Sequence, residues 1–149
     1  MRAKINGIIT TAEAKELLSL QFVHNGQNKG FNQSIVKKVI EKCSKYIGKC
    51  KLKAPSYWNI ENRHSAHEWH LDTGSNNHMP WCDYGISILL TPPHDAAGGL
   101  FKYREPDLEY KQSEHYLNAI IHSSDEWHMR EESDNGRTVL LIFLSKEDE

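Results

Sequence analysis

The spacing of apolar residues predicts two helices near the start of the chain. Thr10 and Glu13 fit a capping box, in which each side chain binds the backbone N–H of the other residue. The stripe that follows faces a core and contains Ala14, Leu17 and Leu18. A second helix is predicted over residues 32–47, with Gly48 as its stop. Its apolar positions at helical spacing are Val36, Val39, Ile40, Cys43 and Ile47.

After residue 48 the pattern changes to short runs of strand-forming residues between polar turns. Strands are predicted over residues 49–62 with a break at Pro55, and over residues 84–91, 117–122 and 137–145. A further short strand is expected after Gly98-Gly99, and residues 105–114 are expected to form a surface excursion. These elements predict a mostly β fold with N-terminal helices, in which two sheets form a jelly roll.

Three details of the strand pattern affect the site. Along residues 84–91, alternation places Gly85, Ser87 and Leu89 on one face and Ile86, Ile88 and Leu90 on the other. The run 137–145 is almost wholly apolar, which indicates burial on both faces. Asn135-Gly136 just before it is typical of a hairpin turn.

Length and composition are typical of one globular domain. A chain of 149 residues predicts a single domain, with residues 1–48 as helical support and residues 49–149 as the jelly-roll core. Cys43, Cys50 and Cys82 are odd in number and irregularly spaced, as expected of free thiols in a reducing compartment. Neither a signal peptide nor an apolar run of about 18 residues is evident. The sequence therefore predicts a cytoplasmic protein that does not enter a membrane.

Charge is distributed unevenly along the chain. Residues 1–63 carry 12 Lys and Arg against 4 Asp and Glu, whereas residues 64–149 carry 6 against 16. A basic half could bind nucleic acid or an acidic partner, with residues 37–53 as the candidate surface. No aromatic residues are interleaved with the lysines of the predicted helix face. A solvated helix face is therefore the favoured interpretation, and nucleic acid is an unexpected partner.

A possible metal site comes from two widely separated segments. His70 and Asp72, spaced i and i+2 on a strand, point to one face and offer an imidazole and a carboxylate to one ion. His128 would complete a set of two His and one carboxylate, which suits non-haem Fe(II) because it leaves three coordination positions open. Arg137 lies nine residues after His128, and its guanidinium can hold a carboxylate bidentately.

The order and spacing of these residues resemble the Fe(II)/2-oxoglutarate-dependent dioxygenases, and their prolyl-4-hydroxylase-like branch in particular. The resemblance runs over residues 57–144 and includes Gly98-Gly99-Leu100. It implies a double-stranded β-helix whose mouth holds Fe(II), with His70, Asp72 and His128 as ligands. It also implies that the far carboxylate of 2-oxoglutarate pairs with Arg137. The implied reaction consumes O₂, releases succinate and CO₂, and hydroxylates a peptidyl proline, an amino acid or another small molecule. Ascorbate is a further candidate cofactor.

The resemblance does not assign every residue expected at such a site. Several members place a Tyr on the strand after the His-x-Asp loop to hold the co-substrate, whereas this chain has Gly85, Ser87 and Leu89 there. Tyr57 is the alternative hydroxyl. Residues 73–83 are predicted to form a loop over the metal, with Trp81 as a substrate contact or a plug of the barrel mouth. The remaining histidines are interpreted as surface or capping residues, namely His24, His64, His67, His78, His94, His115 and His122.

Two other classes of function remain open. A cupin-like metal-binding module would share the fold, but cupins favour a His-x-His pair where this chain has His70-x-Asp72. A basic domain without oxygenase activity would use residues 37–53 to bind nucleic acid or another partner. Salt-dependent retention on a polyanion would support the second alternative.

Overall fold

The computed structural model describes residues 2–20, 33–48, 50–51, 57–63, 67–70, 79, 81–92, 101–105, 108–112, 115–125, 127–130 and 137–146. These residues form β1 (Arg2–Ile5), α1 (Thr11–Ser19), α2 (Ser34–Ile47), β2 (Cys50–Lys51), β3 (Tyr57–Arg63), β4 (His67–His70), β5 (Tyr84–Leu89), β6 (Phe101–Glu105), β7 (Leu108–Gln112), β8 (Ala119–Ser123), β9 (Trp127–Arg130) and β10 (Arg137–Lys146). In β2, β4, β6 and β7, and at Tyr57, Arg63, Trp127 and Arg130, only the backbone is described. The prediction of a mostly β chain with two helices is confirmed.

Helix α1 begins at the predicted capping box. The Thr10 hydroxyl accepts a hydrogen bond from the Glu13 N–H at 3.1 Å, and the Glu13 carboxylate accepts one from the Thr10 N–H at 3.0 Å. The bond from Thr10, together with Lys38 Nζ at 3.0 Å, holds the pKa of the Glu13 carboxyl below its usual value. The cap thus joins the two helices as well as starting the first.

Helix α2 begins two residues later than predicted and ends as predicted. The Gln33 side chain accepts a hydrogen bond from the Val36 N–H at 2.9 Å, which satisfies one of the free donors of the first turn. Gly48 ends the helix with φ of 74°, a value that favours glycine. No described helix is long and apolar enough to cross a membrane.

The larger sheet is built around β10. Its strand order is β1-β8-β5-β10-β2, and β3 also pairs with β10. Strand β10 is bonded on both sides over most of its length, to β3 from Arg137 to Phe143 and to β5 from Val139 to Leu144. This position explains its apolar sequence, because a central strand has no free edge and both of its faces are covered.

The second sheet has the order β4-β9-β6-β7. The predicted hairpin turn at Asn135-Gly136 lies outside the described residues, and the strands on either side of it, β9 and β10, belong to different sheets and do not pair. Within the predicted surface excursion over residues 105–114, Leu108–Gln112 forms β7 and pairs with β6. Strand β1 was not predicted at all, and it pairs with β8 at the edge of the larger sheet.

The two faces of the larger sheet have different partners. One face joins α1 and α2 in a single apolar cluster. The sheet contributes to this cluster Trp58, Ile60, Ile86, Ile88, Leu90, Ala119, Ile121, Leu140, Ile142 and Leu144. The opposite face, called the inner face below, alternates with these positions and carries further buried residues, namely Ser87, Leu89, Ile120, His122, Arg137 and Val139. The predicted alternation of β5 is therefore confirmed.

Candidate functional site

His70 and His128 are brought together by the pairing of β4 with β9. The two strands are antiparallel, and His70 is the register partner of His128. Residues directly opposite each other in such a pair share a face of the sheet. The register slips between His67 and His70, which indicates a bulge, and bulges commonly re-aim residues beside active sites. Because His67–His70 is a strand, the i, i+3 spacing of its two histidines does not form a helical metal-binding pair.

His128 lies in the interior although it belongs to a short strand. Only 4% of it is exposed. A buried imidazole is costly unless its ring nitrogens have partners, and metal coordination is one way to supply them. Tyr103 of β6 is the register partner of His128 on its other side. The sequence prediction of His128 as a buried site residue is therefore compatible with its surroundings.

The predicted iron set also includes the carboxylate of Asp72. Asp72 lies outside the described residues, as does the Gly98-Gly99 pair, and β4 ends at His70. Among the described residues, no three His, Cys, Asp or Glu side chains are grouped to hold a metal. That set contains neither Asp72 nor the side chain of His70. The three-residue metal site therefore stays a prediction.

Arg137 is a buried cation at the start of the central strand. It is 3% exposed, and it is the first residue of β10 on the inner face. Its register partner on β3 is Arg63, a second basic residue for which the sequence suggested no role. Among the described residues, nothing accepts a hydrogen bond from Nε or Nη1 of Arg137, although the side chain has another interaction.

Tyr57 lies at the other end of β10. It pairs in register with Phe143, six residues after Arg137. At about 3.3 Å per residue, the two positions are roughly 20 Å apart along the sheet. The row of Tyr57 also contains Gly85 and His122, so it is the row nearest His128. The role of Tyr57 stays a prediction, since only its backbone is described.

Trp81 is half-buried and lies just before β5. The segment after it is firmly attached to the sheet through Asp83. The Asp83 N–H donates to the Leu144 carbonyl at 2.8 Å, and the Asp83 carbonyl accepts from the Ser124 N–H at 2.9 Å. The Asp83 carboxylate accepts from the Lys146 N–H at 2.6 Å. Trp81 therefore lies near one end of the larger sheet. The turn between β8 and β9, which leads to His128, lies at the same end. Both predicted roles of Trp81 stay open.

His122 is a buried residue that the sequence interpretation placed at the surface, and that interpretation is wrong. It is 5% exposed, and its ring centroid lies 4.3 Å from that of His128, with the planes tilted by 46°. The available signal was its place in the strand Ala119–Ser123, where it shares a face with Ile120. The contact joins the inner face of the larger sheet to the second sheet.

The fold that carries these residues is similar to solved structures of 2OG-Fe(II) oxygenases. One is an oxidoreductase of that family from Burkholderia pseudomallei, with a TM-score of 0.73 and 14% identity over 98% of this chain and 86% of that one. Another is a prolyl-4-hydroxylase from Pseudomonas putida, with a TM-score of 0.71 and 9% identity over 99% and 93%. A viral collagen prolyl hydroxylase from Paramecium Bursaria Chlorella virus-1, in a 2OG complex, has a TM-score of 0.67 and 12% identity over 98% and 96%.

The likeness is confined to structure. No protein-family model and no curated protein matches the sequence. At these identities the comparison shows the fold, and it confirms at that level the predicted resemblance to the Fe(II)/2-oxoglutarate dioxygenases, prolyl-4-hydroxylases included.

Proposed function

We propose that the protein is an Fe(II)- and 2-oxoglutarate-dependent oxygenase that hydroxylates its substrate. The observation that carries the proposal is the register pairing of His70 with His128, which gives two imidazole-bearing positions one face in a fold of the oxygenase type. The two antiparallel sheets support the more detailed assignment of a double-stranded β-helix, or jelly roll. We further propose that residues 1–149 form one domain, with residues 1–48 as helical support for a core over residues 49–149.

The residues at the proposed site fit the metal. Two imidazoles and one carboxylate form the facial set of non-haem Fe(II) enzymes, and His70, Asp72 and His128 would supply it. The iron, when bound, supplies the activation of O₂, with 2-oxoglutarate as the co-substrate that is converted to succinate and CO₂. The contribution of the chain is to hold the ligands and to exclude water. Burial of His128 and of the apolar inner-face residues supports both roles.

Arg137 is proposed to bind the far carboxylate of 2-oxoglutarate. A guanidinium with 3% exposure is poorly hydrated, so a carboxylate that reaches it forms a strong charge-assisted pair. Val139 follows on the same face of β10, and Leu89 is its register partner on β5. Both are buried, so the region next to Arg137 is dry. Tyr57, at the opposite end, remains a proposed contact of the co-substrate at its metal-bound end.

The substrate class is proposed from the chemistry of the structural neighbours. Two of them are prolyl hydroxylases, which favours a peptidyl proline over a free amino acid or another small metabolite. Trp81 is the proposed substrate contact, because its segment lies at the same end of the sheet as the turn that leads to His128. The lid assigned to residues 73–83 would have a fixed end at Asp83.

The test is 2-oxoglutarate turnover with Fe(II), with and without ascorbate, against proline-containing peptides and free amino acids. Substrate-dependent formation of succinate is expected, together with thermal stabilisation of the protein by 2-oxoglutarate. Arg137→Lys should weaken 2-oxoglutarate binding by about tenfold or more, because a point charge replaces a planar fork. Lys15→Gln removes a charge from the exposed surface of α1, away from the proposed site, and should bind as the wild type. Wild-type affinity in Arg137→Lys would refute the role of Arg137.

The basic surface is a weaker candidate function. Lys37, Lys38, Lys42 and Lys45 are exposed on α2, and Lys45 Nζ lies 6.0 Å from the ring centroid of Tyr46. Tyr46 is 47% exposed, so the expectation that no aromatic residue accompanies these lysines is wrong. However, Lys38 is bound to Glu13, and Lys42 donates to the Ile8 carbonyl at 2.9 Å. Retention on heparin that falls steeply with salt would favour a polyanion partner.

A further inference from the structure

His122 has no role in the proposed reaction, yet it lies against one of the residues that would hold the metal. It comes from β8 in the larger sheet, whereas His128 comes from β9 in the second sheet. Both rings are almost fully buried, and their centroids are 4.3 Å apart. This distance is direct packing of one ring on the other. The two sheets therefore meet at the imidazole of the proposed ligand.

The register neighbours of His122 are known on both sides of its strand. On the inner face, its register partner on β5 is Gly85, which has no side chain and leaves room in this row for a ring from the opposite sheet. Its register partner on β1 is Arg2, which is only partly buried. An apolar side chain would fill this position at lower cost, because burying an imidazole removes its nitrogens from water. The identity of the residue therefore calls for an explanation beyond core packing.

An imidazole ligand needs a fixed orientation. Two side-chain torsions must be set for its nitrogen to point at the metal, and a free side chain loses entropy when they are fixed. Groups that contact a metal ligand commonly supply this orientation, and their loss weakens metal binding about 10- to 100-fold. A tilted ring packed at 4.3 Å blocks rotation of its neighbour on one side.

We propose that His122 is a positioning residue that holds the imidazole of His128 in the orientation required of a metal ligand, an inference that rests on the proposed iron site. His122 is not a fourth ligand. Two His and one carboxylate leave three positions on an octahedral ion, and a bidentate co-substrate and O₂ use all three. A further protein ligand would occupy one of them.

The experiment is a titration of the metal-free protein with Co(II), followed by its visible absorption spectrum. Co(II) absorbs in the visible region and reports ligand geometry without any turnover. The variants are His122→Val, His122→Ala and His122→Phe, with His115→Ala as the control at an exposed histidine. Thermal unfolding without metal shows whether each variant is folded. Two truncations, to Val and to Ala, are used so that the test still stands if one of them does not fold.

The truncations should weaken Co(II) binding by about 10- to 100-fold and alter the absorption bands. The Phe variant keeps a planar ring in place, so its affinity should stay close to that of the wild type. The control should match the wild type. Wild-type affinity in a folded truncation would overturn the inference, and so would a Phe variant as weak as the truncations, because the nitrogens of His122 would then be the essential feature.

One more variant separates this inference from the proposed function. His128→Ala should lose Co(II) binding. If it does so while the His122 truncations bind normally, only the positioning role is wrong. If His128→Ala binds Co(II) as the wild type does, the iron site itself is wrong, and the role of His122 is refuted with it.

Discussion

Leu140 and Leu141 are neighbours on β10 that belong to opposite faces of the larger sheet. Leu140 is 0% exposed and lies in the apolar cluster with the helices. Leu141 is half-buried on the inner face, between Ser87 and Asn59 in register. Changing each to Ala removes the same atoms from the same strand. The pair of variants therefore tests whether the helix-side face mainly stabilises the fold and the inner face carries the proposed site.

The expected magnitudes follow from burial. Leu140→Ala should lower the free energy of unfolding by about 2–5 kcal/mol, because lost transfer energy is added to the cost of a cavity. Leu141→Ala should cost about 1–2 kcal/mol, because part of its surface is already exposed and its surroundings leave less of a sealed cavity. The affinity for 2-oxoglutarate should instead fall more in Leu141→Ala than in Leu140→Ala, because only Leu141 shares a face with Arg137.

Urea unfolding measures the first effect, and isothermal titration with 2-oxoglutarate in the presence of Zn(II) or Co(II) measures the second. The slope of unfolding free energy against urea should be unchanged in both variants, so that the midpoints report stability. Equal losses of stability, or weaker 2-oxoglutarate binding only in Leu140→Ala, would refute the assignment of the faces.

Three further predictions concern the helix cap at Glu13 and the segment from Trp81 to Asp83. Glu13→Gln should reduce stability by less than about 1 kcal/mol at pH 7. Folding lowers the pKa of Glu13, so its charge stabilises the fold above the unfolded pKa, and the difference in unfolding free energy between wild type and variant should vanish as pH falls through the folded pKa. Urea unfolding measures this difference, with Glu16→Gln as the control. A difference that stays constant with pH would contradict this account. Trp81→Ala should impair substrate-coupled turnover more than 2-oxoglutarate binding, whereas a loss of several kcal/mol in thermal unfolding would identify a plug. Asp83→Ala should cost about 1 kcal/mol in the same measurement, and Asp83→Asn should restore most of it by accepting from the Lys146 N–H; equal losses would argue against this hydrogen bond.

Local signals in the sequence were sufficient for some parts of the fold. The capping box at Thr10 and Glu13 and the stop at Gly48 depend on neighbouring residues, and both were predicted. The apolar run that became β10 was also clear, because a strand paired on both sides carries few polar residues. In each case the determining interactions lie within a few residues or within one strand.

Such local signals do not show which strands belong to the same sheet. Asn135-Gly136 indicates a turn, but a turn does not specify whether the strands on either side pair with each other. The contact of His122 with His128 likewise joins two sheets, and no periodicity in one strand reveals a neighbour in another. The spacing from His70 to Asp72 and the distance from His128 to Arg137 gave the site hypothesis, and the register of β4 with β9 could come only from the fold.

The Asp83 attachment has a consequence for how such a protein can be diversified. One residue bonds the end of the Trp81 segment, the end of β10 and the turn that leads to His128. Residues that precede this clamp can change in length or composition while the clamp keeps its three bonds. In the proposed oxygenase, sequences grafted over residues 73–78 would precede a fixed attachment at Asp83. In a library of such grafts, Asp83 and its partners define the boundary at which the graft should end.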